Sequence, residues 1–212
     1  MKNVSVAALA ALGLVLAHPA RAQVFGQFTG AETLPAGGHL FGGYVHSSQN
    51  VVGLLAQLRL SFYPSVDFGF QGGLSRHDYR NDERSVLRLG TDLKVQVVRP
   101  SAGLPVSVAV GADLGVETGD DYNVLTLGPA AVASRDFVLG ESGHVTPYAA
   151  VGLAMTSFDV GSTDDTDVSV PIRLGADMRI APEVRIVMEL QAPLGDAFND
   201  NLGLAVGVNL PF

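Results

Sequence analysis

The sequence predicts an all-β fold: a closed, antiparallel, up-and-down transmembrane β-barrel with about ten strands, eight being the alternative count. Three observations support this. Large apolar residues recur at every second position along most of the chain, which is the period of a β-strand. The chain is 47% hydrophobic, yet after its N-terminus it has no apolar run long enough for a spanning helix. Short connections rich in Pro or Gly alternate with longer charged ones, as in membrane barrels.

Composition excludes several classes of protein. Thirteen basic and 21 acidic residues give a net charge of -8, which argues against nucleic acid as a partner. The absence of Cys excludes disulfides, cysteine metal sites and a lipid-anchored cysteine. The sequence has no glycine-rich phosphate loop, zinc-binding helix or dinucleotide fingerprint, so we expect no cofactor and no metal.

The first residues have the features of a secretory signal peptide. Lys2 provides the positive charge, residues 4–17 are apolar, and residues 20–22 read Ala-Arg-Ala, which predicts cleavage before Gln23. The following stretch has no clear period and contains Pro35. We therefore expect a signal peptide at 1–22, a periplasmic lead-in at 23–38 and the barrel at 39–212.

The strands follow from the alternation of apolar and polar residues. Residues 168–180 alternate most regularly, whereas 124–138 are interrupted by Gly128-Pro129. In chain order, the predicted strands are 39–47, 51–63, 66–75, 85–98, 106–116, 124–138, 145–158, 168–180, 184–191 and 201–212.

The connections and aromatic residues predict the two ends of the barrel. The longer, charged connections are expected to be external loops, at 76–84, 117–123, 161–167 and 195–200. Aromatic residues near strand ends predict two girdles at the membrane interfaces. One comprises Phe62, Tyr63, Phe68, Phe137, Tyr148 and Phe212, and the other Tyr44, Tyr79, Tyr122, Phe158 and Phe198.

Charged residues within the strands fall on the face opposite the apolar one. On a lipid-facing surface each basic residue would cost about 2 to 4 kcal/mol at the midplane, so we expect a polar network of ion pairs inside the barrel. The alternative is a soluble, lipocalin-like periplasmic barrel with its apolar face inward around an apolar ligand, and periodicity alone does not choose. The predicted lumen residues are Arg59, Asp67, Arg88, Asp92, Lys94, Asp113, Arg173, Asp177, Arg179, Arg185 and Glu189.

The last twelve residues, NLGLAVGVNLPF, alternate strictly and end on Phe212. This segment resembles the C-terminal strand of bacterial outer-membrane β-barrel proteins, and the chain resembles the outer membrane protein A-like barrels without their periplasmic domain. The resemblance implies location in the outer membrane of a Gram-negative-type bacterium, among lipid and lipopolysaccharide. It also implies periplasmic chaperones and a barrel-assembly machinery that recognises Phe212, Leu210 and Val208.

Three functions are compatible with these features. The favoured one is a structural or surface-interaction role with a mostly filled polar lumen, and the second is a small, cation-preferring pore. The third is an outer-membrane hydrolase, but no hydrolase motif can be matched, so we expect no enzyme. Candidate residues for that third role would be His39, His46, His77 and His144, with Ser47, Ser75, Asp78 and Ser142 near some of them.

A closed transmembrane barrel should migrate anomalously on a gel until it is heated. We expect the protein, expressed with its signal peptide, to fractionate with the outer membrane and to change mobility between unheated and boiled samples, because detergent alone does not open a closed hydrogen-bonded sheet. A soluble periplasmic band with unchanged mobility would contradict the membrane prediction.

Overall fold

The computed structural model describes residues 26–48, 50–79, 82–101, 103–140, 143–160, 163–194 and 202–212, so the predicted signal peptide lies outside it. Within these ranges no helix is long and apolar enough to cross a membrane. The same ranges contain the strands β1 (His39–Ser48), β2 (Val51–Tyr63), β3 (Val66–Tyr79), β4 (Asp82–Val98), β5 (Ser107–Gly119), β6 (Tyr122–Ser134), β7 (Phe137–Leu139), β8 (Gly143–Gly152), β9 (Ala154–Val160), β10 (Thr163–Ala181), β11 (Val184–Leu194) and β12 (Gly203–Pro211).

These strands form one closed antiparallel barrel. Each of β1 to β5 pairs with the next strand, β10 pairs with β11 and β11 with β12, and β12 returns to β1. Between β6 and β10, β8 and β9 are separated by Leu153 alone and together form one continuous strand of the wall. We call each continuous strand of the wall a stave. The short β7 pairs with the start of β8. The described strands therefore give ten staves, and the predicted fold class and strand count are confirmed.

The barrel closes where the first and last strands meet. His39 N donates a hydrogen bond to the Phe212 carbonyl at 3.3 Å, and Phe212 N donates to the His39 carbonyl at 3.1 Å. The two rings stack with their centroids 5.3 Å apart. We call the end of the barrel that holds this junction the terminal end and the opposite end the hairpin end.

The two faces of the wall differ as the alternation predicted. Outward-facing Leu54, Leu74 and Ile180 are more than half exposed, whereas the inward-facing side chains of Arg59 and Lys94 are almost completely buried. The lipocalin-like alternative is therefore wrong, since it requires the apolar face inside. The charged face lies inside because the outer face of a membrane barrel contacts lipid, where a charged side chain would be buried in hydrocarbon.

Several predicted external loops are extensions of strands. β3 continues through residue 79 and β4 begins at residue 82, so most of the predicted loop 76–84 is paired. The predicted loops 117–123 and 161–167 are likewise largely strand, and 195–200 lie outside the described residues. On β4 the outward apolar band runs from Leu87 to Val97, about the length that a tilted strand needs to cross a bilayer. The hairpin end therefore extends beyond the apolar band.

The aromatic girdles were predicted only in part. Phe62, Tyr63 and Phe212 face outward and are exposed. In contrast, Tyr44, Tyr122 and Tyr148 are buried inside the barrel, so their assignment to the girdles is wrong. Their rings occupy space beside small residues: a side chain at Gly42 or Gly207 would overlap the Tyr44 ring, and one at Gly175 would overlap the Tyr148 ring. Phe158 packs against the buried cluster of Val86, Tyr122 and Val124.

Replacing Gly175 by Val should destabilise the barrel. The added side chain would overlap the Tyr148 ring, and overpacking of this kind costs about 1 to 3 kcal/mol. Gly43→Val is the matched control, because no heavy atom lies within 4 Å of the position that its Cβ would occupy. Urea titration of the protein folded into vesicles measures both. Equal midpoints for the two variants would show that Tyr148 is not packed on Gly175.

Candidate functional site

Residues 26–31, which precede β1 in the chain, are buried inside the barrel. From His39 the chain turns back into the lumen, with Gly37 N donating to the Ser61 carbonyl at 2.6 Å. Phe28 and Ala31 are almost completely buried there. The predicted periplasmic lead-in is therefore wrong for residues 26–35, which we call the plug.

Lys94 is the main polar anchor of the plug. Its Nζ donates hydrogen bonds of 3.0 Å to Thr29 Oγ1 and to the carbonyls of Gly30 and Glu32. It also lies 3.4 Å from Asp67, whose carboxylate accepts a hydrogen bond of 3.1 Å from Leu34 N. The buried Lys94–Asp67 pair thus provides partners for two backbone carbonyls and one backbone N–H of the plug. The plug needs such partners because it is not paired with a strand.

Further wall side chains bind the backbone and side chains of the plug. They come from β3, β5, β6 and β12, so the plug is held on several sides. These hydrogen bonds run from Gln71 Nε2 to the Gly26 carbonyl (2.6 Å), from Asn209 Nδ2 to the Phe28 carbonyl (3.0 Å), from Ala31 N to Ser134 Oγ (2.9 Å), from Ser107 Oγ to Glu32 Oε1 (3.2 Å) and from Gln27 Nε2 to Asp113 Oδ1 (3.4 Å).

Two apolar clusters complete the packing of the plug. Phe28 stacks on Tyr44 with ring centroids 4.2 Å apart and an interplanar angle of 25°. Around this pair lie Leu55, Val187 and Ala205. Ala31 packs in a second cluster with Ala109, Val132, Tyr148 and Ala150. Inward apolar residues that interrupt the polar face of the wall are therefore the contact points for the plug.

The predicted lumen residues form a set of buried ion pairs. Arg59 Nη2 donates to both carboxylate oxygens of Asp92, at 2.8 and 2.9 Å, and both side chains are about 1% exposed. The remaining pairs are Lys94 with Asp67, Arg173 with Asp113 at 3.5 Å, Arg185 with Asp177 at 3.6 Å, and Arg88 with Glu117.

Two members of the predicted set have other surroundings. Glu189 accepts a hydrogen bond of 2.7 Å from the Tyr148 hydroxyl. Arg179 lines a cavity of about 110 Å³ at the terminal end, between the plug and the wall, together with Arg185. Asp136 lies in the same cavity, between β6 and β7. Burial raises the pKa of Asp136, but hydrogen bonds with His144 and from Thr146 outweigh it and hold the pKa below its usual range.

Glu117 was missed by the sequence analysis because it was assigned to an external loop. It lies on the inward face of β5, pairs with Arg88 and accepts a hydrogen bond of 2.9 Å from the Tyr122 hydroxyl. The sequence does contain this information. Glu117 is four residues after Asp113, and residues an even number of positions apart lie on the same face of a strand.

The candidate hydrolase residues are only partly brought together. Ser75 Oγ and His77 Nε2 are 2.9 Å apart, because both face inward on β3. Asp78, which would orient the imidazole ring, points out of the barrel. His46 lies 3.3 Å from Arg88, and His144 pairs with Asp136 at 2.8 Å. The other candidates are separate from this pair: His39 stacks on Phe212, Ser47 is exposed and Ser142 lies outside the described residues.

The residues expected to form the assembly signal share one face of β12. Val208, Leu210 and Phe212 all point outward and are exposed, with Phe212 the most exposed at 72%. The structure thus places them on the apolar outer surface, at the seam between the first and last strands.

No family model and no curated protein matches this sequence. Among solved structures, the chain is similar to the β domain of the Bordetella autotransporter BrkA, with a TM-score of 0.56 and 12% identity over 84% of this chain and 100% of that one. The chain has the fold of an outer-membrane β-barrel. Other similar outer-membrane barrels are a channel from Pseudomonas putida F1 (TM-score 0.47, 14% identity, 90% and 100% covered) and the N-terminal barrel of Pseudomonas aeruginosa OprF (0.37, 9%, 84% and 98%).

Breaking the Arg59–Asp92 pair should destabilise the barrel strongly. Arg59→Met leaves a buried carboxylate without its partner, which costs about 3 to 5 kcal/mol. Arg76→Met is the matched control, because the Arg76–Glu83 pair is largely exposed and such pairs contribute about 0 to 1 kcal/mol. Unfolding in urea compares the two variants. A loss in Arg59→Met as small as that in Arg76→Met would mean that water enters the lumen and hydrates Asp92.

Proposed function

We propose that this outer-membrane barrel is closed by its own N-terminal plug and has a structural or surface-interaction role. The observation that carries the proposal is the occupation of the lumen by residues 26–35, bound by Lys94 and by side chains of several other staves. A lumen that is filled by both side chains and a chain segment offers no wide aqueous path.

The ion pairs support a closed lumen in its resting state. Arg59 on β2 reaches across Gly69 of β3 to Asp92 on β4 near the middle of the barrel, and Arg88 with Glu117 bridges the neighbouring β4 and β5 nearer the hairpin end. Each pair is almost completely buried, so its charges are compensated by protein and not by a water column. The lumen is therefore filled both by the plug and by ion pairs of the wall.

The hairpin end is the surface proposed to meet the environment. It carries exposed charges such as Arg76, Asp78 and Glu83, and an acidic turn at residues 120–121. We propose that the terminal end, with its short turns and Phe212, faces the periplasm. The hairpins would then lie among lipopolysaccharide head groups at the cell surface, after insertion by the barrel-assembly machinery with the help of chaperones.

A gated, cation-preferring pore is the second candidate. It is favoured by the way the plug is held, because its contacts with the wall are side-chain hydrogen bonds and not a strand ladder. Such contacts can be exchanged for water one at a time. A catalytic role is not proposed, since Asp78 faces away from the Ser75–His77 pair.

Removing the plug should open the barrel to ions. We expect the intact protein to give little steady conductance in planar bilayers. Deletion of residues 26–35 should give stable open steps, because it empties the space that they occupy. Lys94→Met should give brief openings, because it removes three hydrogen bonds to the plug, and Arg76→Met should behave as the intact protein does.

Two outcomes would contradict this proposal. Steady conductance by the intact protein would favour a pore in which the plug leaves a path. No gain of conductance after deletion, in a variant that still shows heat-modifiable mobility, would mean that the ion pairs alone close the lumen.

A further inference from the structure

The cavity of about 110 Å³ at the terminal end lies between the plug and the wall, and we call it the terminal cavity. Pro35 of the plug and Asp136 line it and are exposed, so it is open at this end of the barrel. Three arginines also line it: Arg59 of β2, Arg179 of β10 and Arg185 of β11. Its volume is several times the roughly 30 Å³ that one water occupies in the liquid, so it has room for a small polyatomic ion.

The arginines of the terminal cavity have hydrogen-bond donors that no protein group accepts. Arg59 is 1% exposed and binds Asp92 through Nη2, whereas its Nε and Nη1 are buried and have no partner. The Nε atoms of Arg179 and Arg185 are likewise buried without a partner. A buried donor that is left unpaired costs free energy, and the cost is larger when the group is charged. The three side chains therefore need an acceptor.

The carboxylates around the terminal cavity do not supply this acceptor, because they are bound to other protein groups. Their pairs are Asp67 with Lys94 at 3.4 Å, Asp177 with Arg185 at 3.6 Å and Asp136 with His144 at 2.8 Å. Among the described residues, no buried oxygen of these three carboxylates lacks a partner. The buried unpaired side-chain atoms of the described part of the cavity are thus all donors.

Two of the arginines also lie directly opposite each other in the wall. Arg179 and Arg185 are register partners on β10 and β11, and both side chains line the same cavity. Like charges directly opposite on neighbouring strands destabilise a sheet. Arg185 has Asp177 as its partner, but no carboxylate in the described part of the chain lies within ion-pair distance of Arg179. An anion in the cavity would compensate the charge of Arg179 and reduce this repulsion.

We propose that the terminal cavity binds a small oxyanion of the phosphate class, held by Arg179 and by the unpaired N–H groups of Arg59 and Arg185. The donors come from β2 on one side and from β10 and β11 on the other. A tetrahedral anion accepts hydrogen bonds from several directions, whereas a carboxylate accepts them near one plane. Arginine suits such an anion because its planar fork matches a pair of oxygens. The anion enters from solution at the terminal end, and its binding does not rest on the role proposed above for the barrel.

Equilibrium dialysis of the folded full-length protein against radiolabelled inorganic phosphate tests this proposal. The protein is held in detergent micelles in Tris chloride buffer, so that no other oxyanion competes. We expect saturable binding of about one phosphate per chain. Unlabelled sulfate should displace the label because it has the same shape, and acetate at the same ionic strength should not, because it offers acceptors near one plane only.

Arg179→Gln separates anion binding from the stability of the wall. It removes the cation that has no carboxylate partner, so it should weaken phosphate binding about ten- to a hundredfold, the loss expected for hydrogen bonds to a charged group. Without phosphate, this variant should unfold at the same or a higher urea concentration than the intact protein, because the repulsion with Arg185 is also removed. Arg99→Gln is the matched control, since Arg99 lies at the same end of the barrel but is exposed and contacts Ser65 outside the cavity. Heat-modifiable mobility verifies that each variant is folded.

Phosphate should also stabilise the folded protein, because a ligand that binds only the folded state shifts unfolding in proportion to its occupancy. The urea midpoint should rise with phosphate concentration in the intact protein and in Arg99→Gln, and much less in Arg179→Gln. Absence of saturable binding would overturn the proposal, as would equal affinity of Arg179→Gln and the intact protein. Equal displacement by acetate would overturn the phosphate class, and a lower midpoint of Arg179→Gln in buffer alone would show that Arg179 is a structural partner within the wall.

Discussion

The structure depends first on the pairing of backbone hydrogen bonds in a solvent that offers none. A strand that faces lipid is stable only if both of its edges are paired, so β12 must pair with β1 as well as with β11. Closure then divides the side chains into two sets. The outer set faces hydrocarbon, and the inner charges, such as Arg59 and Asp92, must neutralise one another because they are cut off from bulk water.

The number of staves sets a second requirement. An eight-stranded barrel is about wide enough for its own side chains to fill, and ten strands enclose a wider lumen. Here residues 26–35 occupy part of that space. Because the plug has no strand partner, its peptide groups need side-chain partners, which Lys94 and Asn209 provide. Small residues such as Gly30 and Ala31 let the plug approach the wall closely.

The sequence predicted the wall better than its contents. A period of two assigns every residue of a strand to a face, which is why the inward positions of Arg59, Arg88 and Arg173 could be predicted. The strand ends were less predictable, since charged hairpins such as the β3–β4 pair look like loops. The plug has no period, and its partners are far apart in sequence, for example 64 residues between Gly30 and Lys94. Nothing local therefore marks it as buried.

The requirement that backbone groups be paired also makes the prolines within the wall strands notable. A residue without an N–H in the middle of a membrane strand removes one of the hydrogen bonds between neighbouring strands, and Pro129 and Pro171 do so on both sides of Leu153. Inside the barrel, Asp113 lines a small cavity beside Pro129 and Leu153 and is also contacted by Gln27 of the plug. The two prolines therefore interrupt the hydrogen-bond ladder without opening the wall, because Leu153 N still donates to the Pro129 carbonyl at 2.9 Å and the register is the same on both sides.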